Sequence, residues 1–190
     1  DPLGSLVMPD FTTLVTRATA NSCPGTPGIY DHLIACSNMT AGLYALTGTT
    51  GGNFDITGTG VTLYFICGTP TTPRACTAAD PLHTGLSFHG NGSLNITAPT
   101  SGLYKGLAMV ADRGNNVTLD FGGNGTFSSS GTIYAPSGTM HYNGNGNGNP
   151  IDSLIVVGDF DFNGNPSAFL SAYTQSANVT ISASNLHPSQ

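Results

Sequence analysis

The sequence has no tryptophan, no glutamate and little charge of either sign. All ten acidic residues are Asp, and the basic residues are Arg17, Arg74, Lys105 and Arg113. Charged residues make up 7% of the chain, against about a quarter in ordinary globular domains. Good helix formers are therefore scarce. A net charge of −6 without any basic cluster argues against nucleic acid and anionic membrane surfaces as partners. The longest strictly aliphatic run is residues 154–157, too short for a membrane span in this chain. No GxSxG, HExxH or phosphate-loop pattern occurs, which removes the commonest catalytic signatures.

What is abundant is Gly (26 residues), with Thr, Ser and Asn, around short apolar runs such as VTLYFIC, LAMVA, TIYAP and SLIVVG. Those runs supply the aromatic and β-branched residues that a disordered chain lacks. None carries the i, i+3, i+4, i+7 pattern of an amphipathic helix over three turns. The chain reads as all-β. The runs also resemble one another in order: the step from Leu107 to Thr132 is 25 residues and from Thr132 to Leu154 is 22. Steps of that size, each with two or three short strands, predict a parallel (right-handed) β-helix or solenoid with disulfide-closed loops. A β-sandwich is the alternative fold, since short strands with turn signals describe it as well. We expect a single domain over 1–190. Its parts are a cap and entry segment with the first disulfide loop at 1–40, stacked coils at 41–183, and a tail at 184–190. The run NGNGNGN at 143–149 reads either as a mobile hairpin or as an ordered corner in which Asn and Gly accept positive φ. Asn91, Asn124 and Asn163 are assigned to corners.

Cys23 and Cys36 bracket one Pro/Gly-rich loop, and Cys67 and Cys76 bracket another. Four cysteines allow three pairings, and the two local loops favour 23–36 with 67–76. Neither pair has CxxC spacing, so no zinc site is expected. Disulfides imply an oxidising compartment. The chain opens on Asp1 rather than Met, as expected of a mature form or an excised domain.

The opening DPLGSL, followed in order by CPGTPGIYDHLIACSNMTAGLYALTG, FDITGTGVTLYFI, GTIYAPSGTMHYNGNG and SLIVVGDFDFNGN, resembles the C-terminal part of TadG-like proteins. That family comprises secreted or membrane-tethered bacterial proteins associated with Flp/Tad-type pilus assembly. The similarity extends over nearly the whole chain and rests on the order of the motifs. The membrane helix usual at the N-terminus of that family is not in this sequence. The resemblance implies an exported structural or adhesive module, extracellular or on the bacterial cell surface, with no catalytic motif to carry over.

Carboxylates are the candidates for a ligand or cation face. Asp159 and Asp161 alternate in GDFDFNG and so share one strand face opposite Phe160 and Phe162, roughly 7 Å apart. The simplest reading is a solvent face opposite an aromatic core face. Asp112, Arg113 and Asp120 lie in ADRGNNVTLDF, where Asp112 and Arg113 are expected to form a turn with a surface ion pair. A carbohydrate-cleaving β-helix would need such carboxylates clustered on one face. A carbohydrate-binding module would use tyrosines, and Tyr44, Tyr64, Tyr104, Tyr134 and Tyr142 are available, although most read as core. His32, His83, His89, His141 and His187 show no ligand spacing. Sequons at Asn38, Asn91, Asn95, Asn116, Asn124 and Asn178 arise readily in so Asn/Thr/Ser-rich a chain. Ice binding is a third class, suggested by Thr47, Thr49, Thr50, Thr57, Thr59 and Thr62, but these threonines do not recur in the later repeats.

The expectation is a non-enzymatic, cofactor-free, metal-free surface or pilus-associated module. Its partners would be other copies, pilus or cell-surface proteins, or glycans. It would assemble through strand addition at a solenoid end, since LVMPDFTTLVTRAT and ANVTISASNL carry almost no charge to guard an edge. The alternative is an N-terminal segment folded over the first coil as its cap.

Overall fold

A computed structural model describes residues 1–17, 25–123, 125–144, 152–164 and 174–180. Within them the structure is all-β apart from a single 3-10 turn at Gln175–Ala177. The strands in chain order begin with β1 (Gly28–Tyr30), β2 (Gly42–Leu46), β3 (Thr50–Gly52), β4 (Asp55–Thr59) and β5 (Val61–Phe65). A hairpin follows, β6 (Cys67–Thr69) and β7 (Thr72–Arg74). Next come β8 (His83–Phe88), β9 (Ser93–Thr97), β10 (Leu107–Ala111), β11 (Val117–Gly123) and β12 (Phe127–Ser130). The long strands β13 (Thr132–Gly144) and β14 (Ile155–Gly164) complete the set.

All pairings are parallel except the β6–β7 hairpin. The strands stack into three ladders. The first runs β1-β2-β5-β10-β13, and the second runs β3-β8-β11-β13. They share β13 because its first part (from Thr132) pairs with β10 and its second part (from Thr139) pairs with β11. The third ladder is β4-β9-β12. Isolated bridges extend it by one residue pair each way, at Met39–Gly58 and Ser130–Asp152. The chain visits the ladders in a repeating order: β2, β3, β4, then β5, β8, β9, then β10, β11, β12. Parallel pairing in every ladder departs from a β-sandwich, whose sheets are antiparallel. Pairing also begins before residue 41, with β1 on β2.

Two hydrophobic clusters follow from this arrangement. One lies between the ladders and takes Leu63 and Phe65 from β5, Leu86 and Phe88 from β8, Leu94 and Ile96 from β9, and Leu119 and Phe121 from β11. The second lies on the other side of the first ladder. There Ile29, Leu43, Tyr64, Ile66, Val110 and Tyr134 are covered by Leu3, Leu6, Met8, Phe11 and Leu14. The N-terminal segment therefore straps the outward side of the first ladder, and its end also covers the edge of the first rung, where Arg17 N donates to Ile29 O (2.8 Å) and Ile29 N donates to Val15 O (3.0 Å). A strand buried on both sides needs apolar residues at successive positions. That is why VTLYFIC and LAMVA are unbroken apolar runs while VTLDF alternates.

The strap is fastened by polar contacts. Arg113 Nη2 donates to the carbonyls of Gly4 (2.9 Å) and Leu6 (2.7 Å), and Nε donates to Tyr134 Oη (3.1 Å). Tyr134 Oη in turn donates to Asp1 Oδ2 at 2.6 Å. Arg113 thus has no surface ion pair with Asp112, contrary to the sequence reading. Asp112 is turned inward and accepts from Tyr64 Oη at 3.0 Å. Burial and the neighbouring Asp112 carboxylate push the Tyr64 phenol well above its usual range.

Cys67 and Cys76 are bonded to each other, and the loop they close is held further by Arg74 on Asp80. Cys36 is fully buried and disulfide-bonded. Cys23 lies outside the described residues, as does the 184–190 tail. Of the C-terminal ANVTISASNL only residues 177–180 are described, and they leave the 3-10 turn without joining a strand. Asn178 explains why. Its Oδ1 accepts from Leu154 N at 2.7 Å and its Nδ2 donates to Thr174 O at 3.0 Å, so its side chain seals the end of the loop before β14. The sequon at Asn178 is consequently buried.

Candidate functional site

The second ladder gathers the ionisable groups. Leu119, Met140 and Phe160 stand in register, followed by Asp120, His141 and Asp161, then Phe121, Tyr142 and Phe162. Leu86, Ser87 and Phe88 precede them on β8. The sequence repeat beneath this is plain once aligned: LSFHG, LDFGG, MHYNG and FDFNG, each with apolar residues at the first and third positions. Alternation sends those two inward and the second position outward, except that on the last rung Phe160, expected on the core face, remains 39% exposed because no further rung covers it among the described residues. The inward aromatics stack, with Phe88 and Phe121 at 6.4 Å and Tyr142 and Phe162 at 5.3 Å between ring centroids.

The outward residues form a chain of contacts across three strands and His89, which follows β8. His89 Nε2 lies 3.3 Å from Asp120 Oδ2, and His141 Nδ1 lies 3.1 Å from Asp120 Oδ1. On its other side, His141 Nε2 is 3.4 Å from Asp161 Oδ2. The row thus sets one imidazole between two carboxylates. It is not a cleft: the His89 and Asp161 side chains are 61% and 54% exposed.

The structure separates the predicted site residues into three environments. Asp120 and Asp161 belong to this row. Asp159 lies one outward position away beside Thr139, with its carboxylate on the neighbouring Phe160 N–H. Asp112 is part of the buried Tyr64 contact on the far side of the first ladder. His141, which showed no ligand spacing in sequence, connects the carboxylates of Asp120 and Asp161, and His89 reaches Asp120 alone. Among the described residues no group of three or more His, Cys and Asp side chains is arranged to hold a metal ion. Of the tyrosines considered for sugar stacking, Tyr44, Tyr64, Tyr134 and Tyr142 are buried.

The corner after this ladder accounts for part of the Asn-Gly pattern. Asn143–Gly144 closes β13 in register with Asn163–Gly164 on β14, so the first Asn-Gly pair of the run is the end of a strand. Residues 145–149 lie outside the described residues, as does Asn124. One rung earlier, Asn91 N donates to Asn53 Oδ1 at 2.8 Å, a corner contact between successive repeats. Gly123 has φ of 90°, and a Cβ there would meet Gly90 N at 2.5 Å, so only glycine fits the close stacking of these corners.

The third ladder has a different outward surface. Asp55, Thr57 and Thr59 alternate with the inward Ile56 along β4, and the register places Thr57 beside Asn95 and Ser128. Thr59 likewise stands beside Thr97 and Ser130. No family model, curated protein or solved structure matches this chain. Among the described residues no helix is long and apolar enough to cross a membrane.

Proposed function

We propose that the three ladders wind as a parallel β-solenoid, and that the chain is an exported, non-enzymatic structural or adhesive module of the TadG-like, pilus-associated kind. The unvarying order in which the chain visits the ladders supports the winding. The Cys67–Cys76 bond is compatible with an oxidising, extracellular setting.

The observation that carries the assembly role is the last rung. β14 pairs with β13 at nine register positions, while no described strand pairs with its other edge. Ile133 N donates to Leu154 O, which fixes the alternation of parallel pairing and directs the Ile155 and Val157 N–H groups away from β13. Those groups form the edge at which a strand from another copy or a pilus component would add. Asp159 and Asp161 lie on the same rung, so this edge carries the charge guard that the sequence was expected to lack. The guard limits indiscriminate pairing and favours a partner strand that supplies complementary polar groups there.

Light scattering over a wide concentration range tests the role. The proposal expects concentration-dependent association of the whole chain, lost in Val157→Pro with the monomer's circular dichroism preserved. A strict monomer at every concentration, which also gives no complex with pilus components, would remove it.

A further inference from the structure

We infer that the outward side of the third ladder is a binding surface for ice. The inference stands on the register of that ladder and not on assembly at β14. In sequence the threonines of the early part do not recur. In the structure their positions do, filled by other small hydroxyl or amide residues. Thr57, Asn95 and Ser128 form one column, and Thr59, Thr97 and Ser130 a second. The Met39–Gly58 bridge brings Asn38 and Thr40 beside Thr57 and Thr59, with Asn38 in a turn at a left-handed φ of 58°. Asn38, Thr40, Thr59 and Asn95 are exposed, and the other four are partly so.

Rungs of a sheet are about 4.8 Å apart, and alternate residues of a parallel strand about 6.6 Å apart. The six side chains on β4, β9 and β12 therefore form a two-dimensional grid of oxygen and nitrogen groups at those spacings, with Asn38 and Thr40 at its edge. Four of the eight add a threonine methyl to the hydroxyl. Grid-like order is what distinguishes ice from liquid water as a ligand, because only the solid presents oxygens at fixed repeats. Charge complementarity points the same way. The chain carries a net charge of −6, yet none of these eight positions is charged. Asp55 and Asp152 stand only at the margins, and each is engaged with a neighbouring serine, Ser93 and Ser130 respectively. An ionic or basic partner would find nothing to pair with. A polysaccharide would call for outward aromatic rings, and the aromatics of this ladder, such as Phe127, face the core.

The test uses the whole disulfide-bonded chain, slowly frozen from solution in the presence of a seed crystal. The inference expects the protein to partition into the ice phase and to slow ice recrystallisation at micromolar concentration. Thr97→Tyr and, separately, Asn95→Tyr should each lower that activity tenfold or more, while Thr118→Tyr on the second ladder leaves it unchanged. Far-UV circular dichroism identifies any variant that has not folded. Exclusion of the wild-type chain from ice to the same extent as an albumin control overturns the inference. So does equal activity of the Asn95 and Thr97 variants when folded, or retention on chitin or cellulose that those two variants abolish without any effect on ice.

Discussion

The first and third ladders are built from the same parallel pairing and differ in what lies outside them. The first is covered by the N-terminal strap, so Tyr64 and Leu63, adjacent in sequence, are both buried in different clusters. The third is uncovered among the described residues, so Ile96 is buried while its neighbour Asn95 is exposed. Whether a ladder holds the molecule together or meets a partner is thus set by a segment far away in the chain. Residues 1–14 turn one face into core and leave another as surface.

Substitutions should expose that difference in order. Leu63→Ala, which leaves a cavity among Phe65, Leu86 and their neighbours, is expected to cost about 2–5 kcal/mol in chemical denaturation. Arg113→Ala removes the donors that fasten the strap to Gly4 and Leu6 and should cost about 2–3 kcal/mol, since charged donors are involved. Protease nicking within residues 1–14 should rise with it, and a variant with an unchanged cleavage rate would show that the strap is held by apolar contacts alone. Asn178→Ala orphans Leu154 N at the entry to β14 and should cost about 1–3 kcal/mol. Thr97→Ala, on the uncovered side of the third ladder, is expected to stay within about 0.5 kcal/mol. A loss there as large as at Leu63 would mean that the third ladder is covered too.

Alkaline titration sharpens the same contrast. Tyr44 faces the core beside Tyr30, and burial, with the Tyr30 phenol next in effect, pushes it up to about 12. The folded state therefore holds its proton more tightly than the unfolded chain, whose phenol titrates near the usual 10. The resulting stability is fully present below about pH 10 and is lost as the pH rises towards about 12. Melting temperatures measured across that window should fall in wild type and fall less in Tyr44→Phe.

Much of the fold was legible in the residues. The all-β class followed from the shortage of helix formers and the short runs of β-branched and aromatic residues, and the parallel ladders from their repeat in order. The strap was harder to read, because LVMPDFTTL carries no strand alternation. Its cause was nevertheless present in VTLYFIC, where two-sided burial shows as an unbroken run. The Asp–His–Asp row escaped because its members come from three repeats, and aligning LDFGG with MHYNG and FDFNG was the step that brings them together. Asp112 misled for a different reason. A turn-like ADRG looks solvated, and only the distant Tyr64 phenol makes its inward position favourable. The third-ladder grid was hidden because Thr, Ser and Asn substitute for one another on a surface where only size and polarity matter.

The central claim is the register that stacks successive repeats, and paired cysteines read it most directly. Asn95→Cys with Ser128→Cys places two outward side chains on neighbouring rungs, about 4.8 Å apart and within disulfide reach. Non-reducing peptide mapping after mild oxidation should find them joined to each other in the monomer, with Cys67–Cys76 intact. Asn95→Cys with Thr139→Cys, on different ladders, should remain two thiols. Crosslinking of the second pair and not the first would contradict the parallel stacking on which the whole account rests.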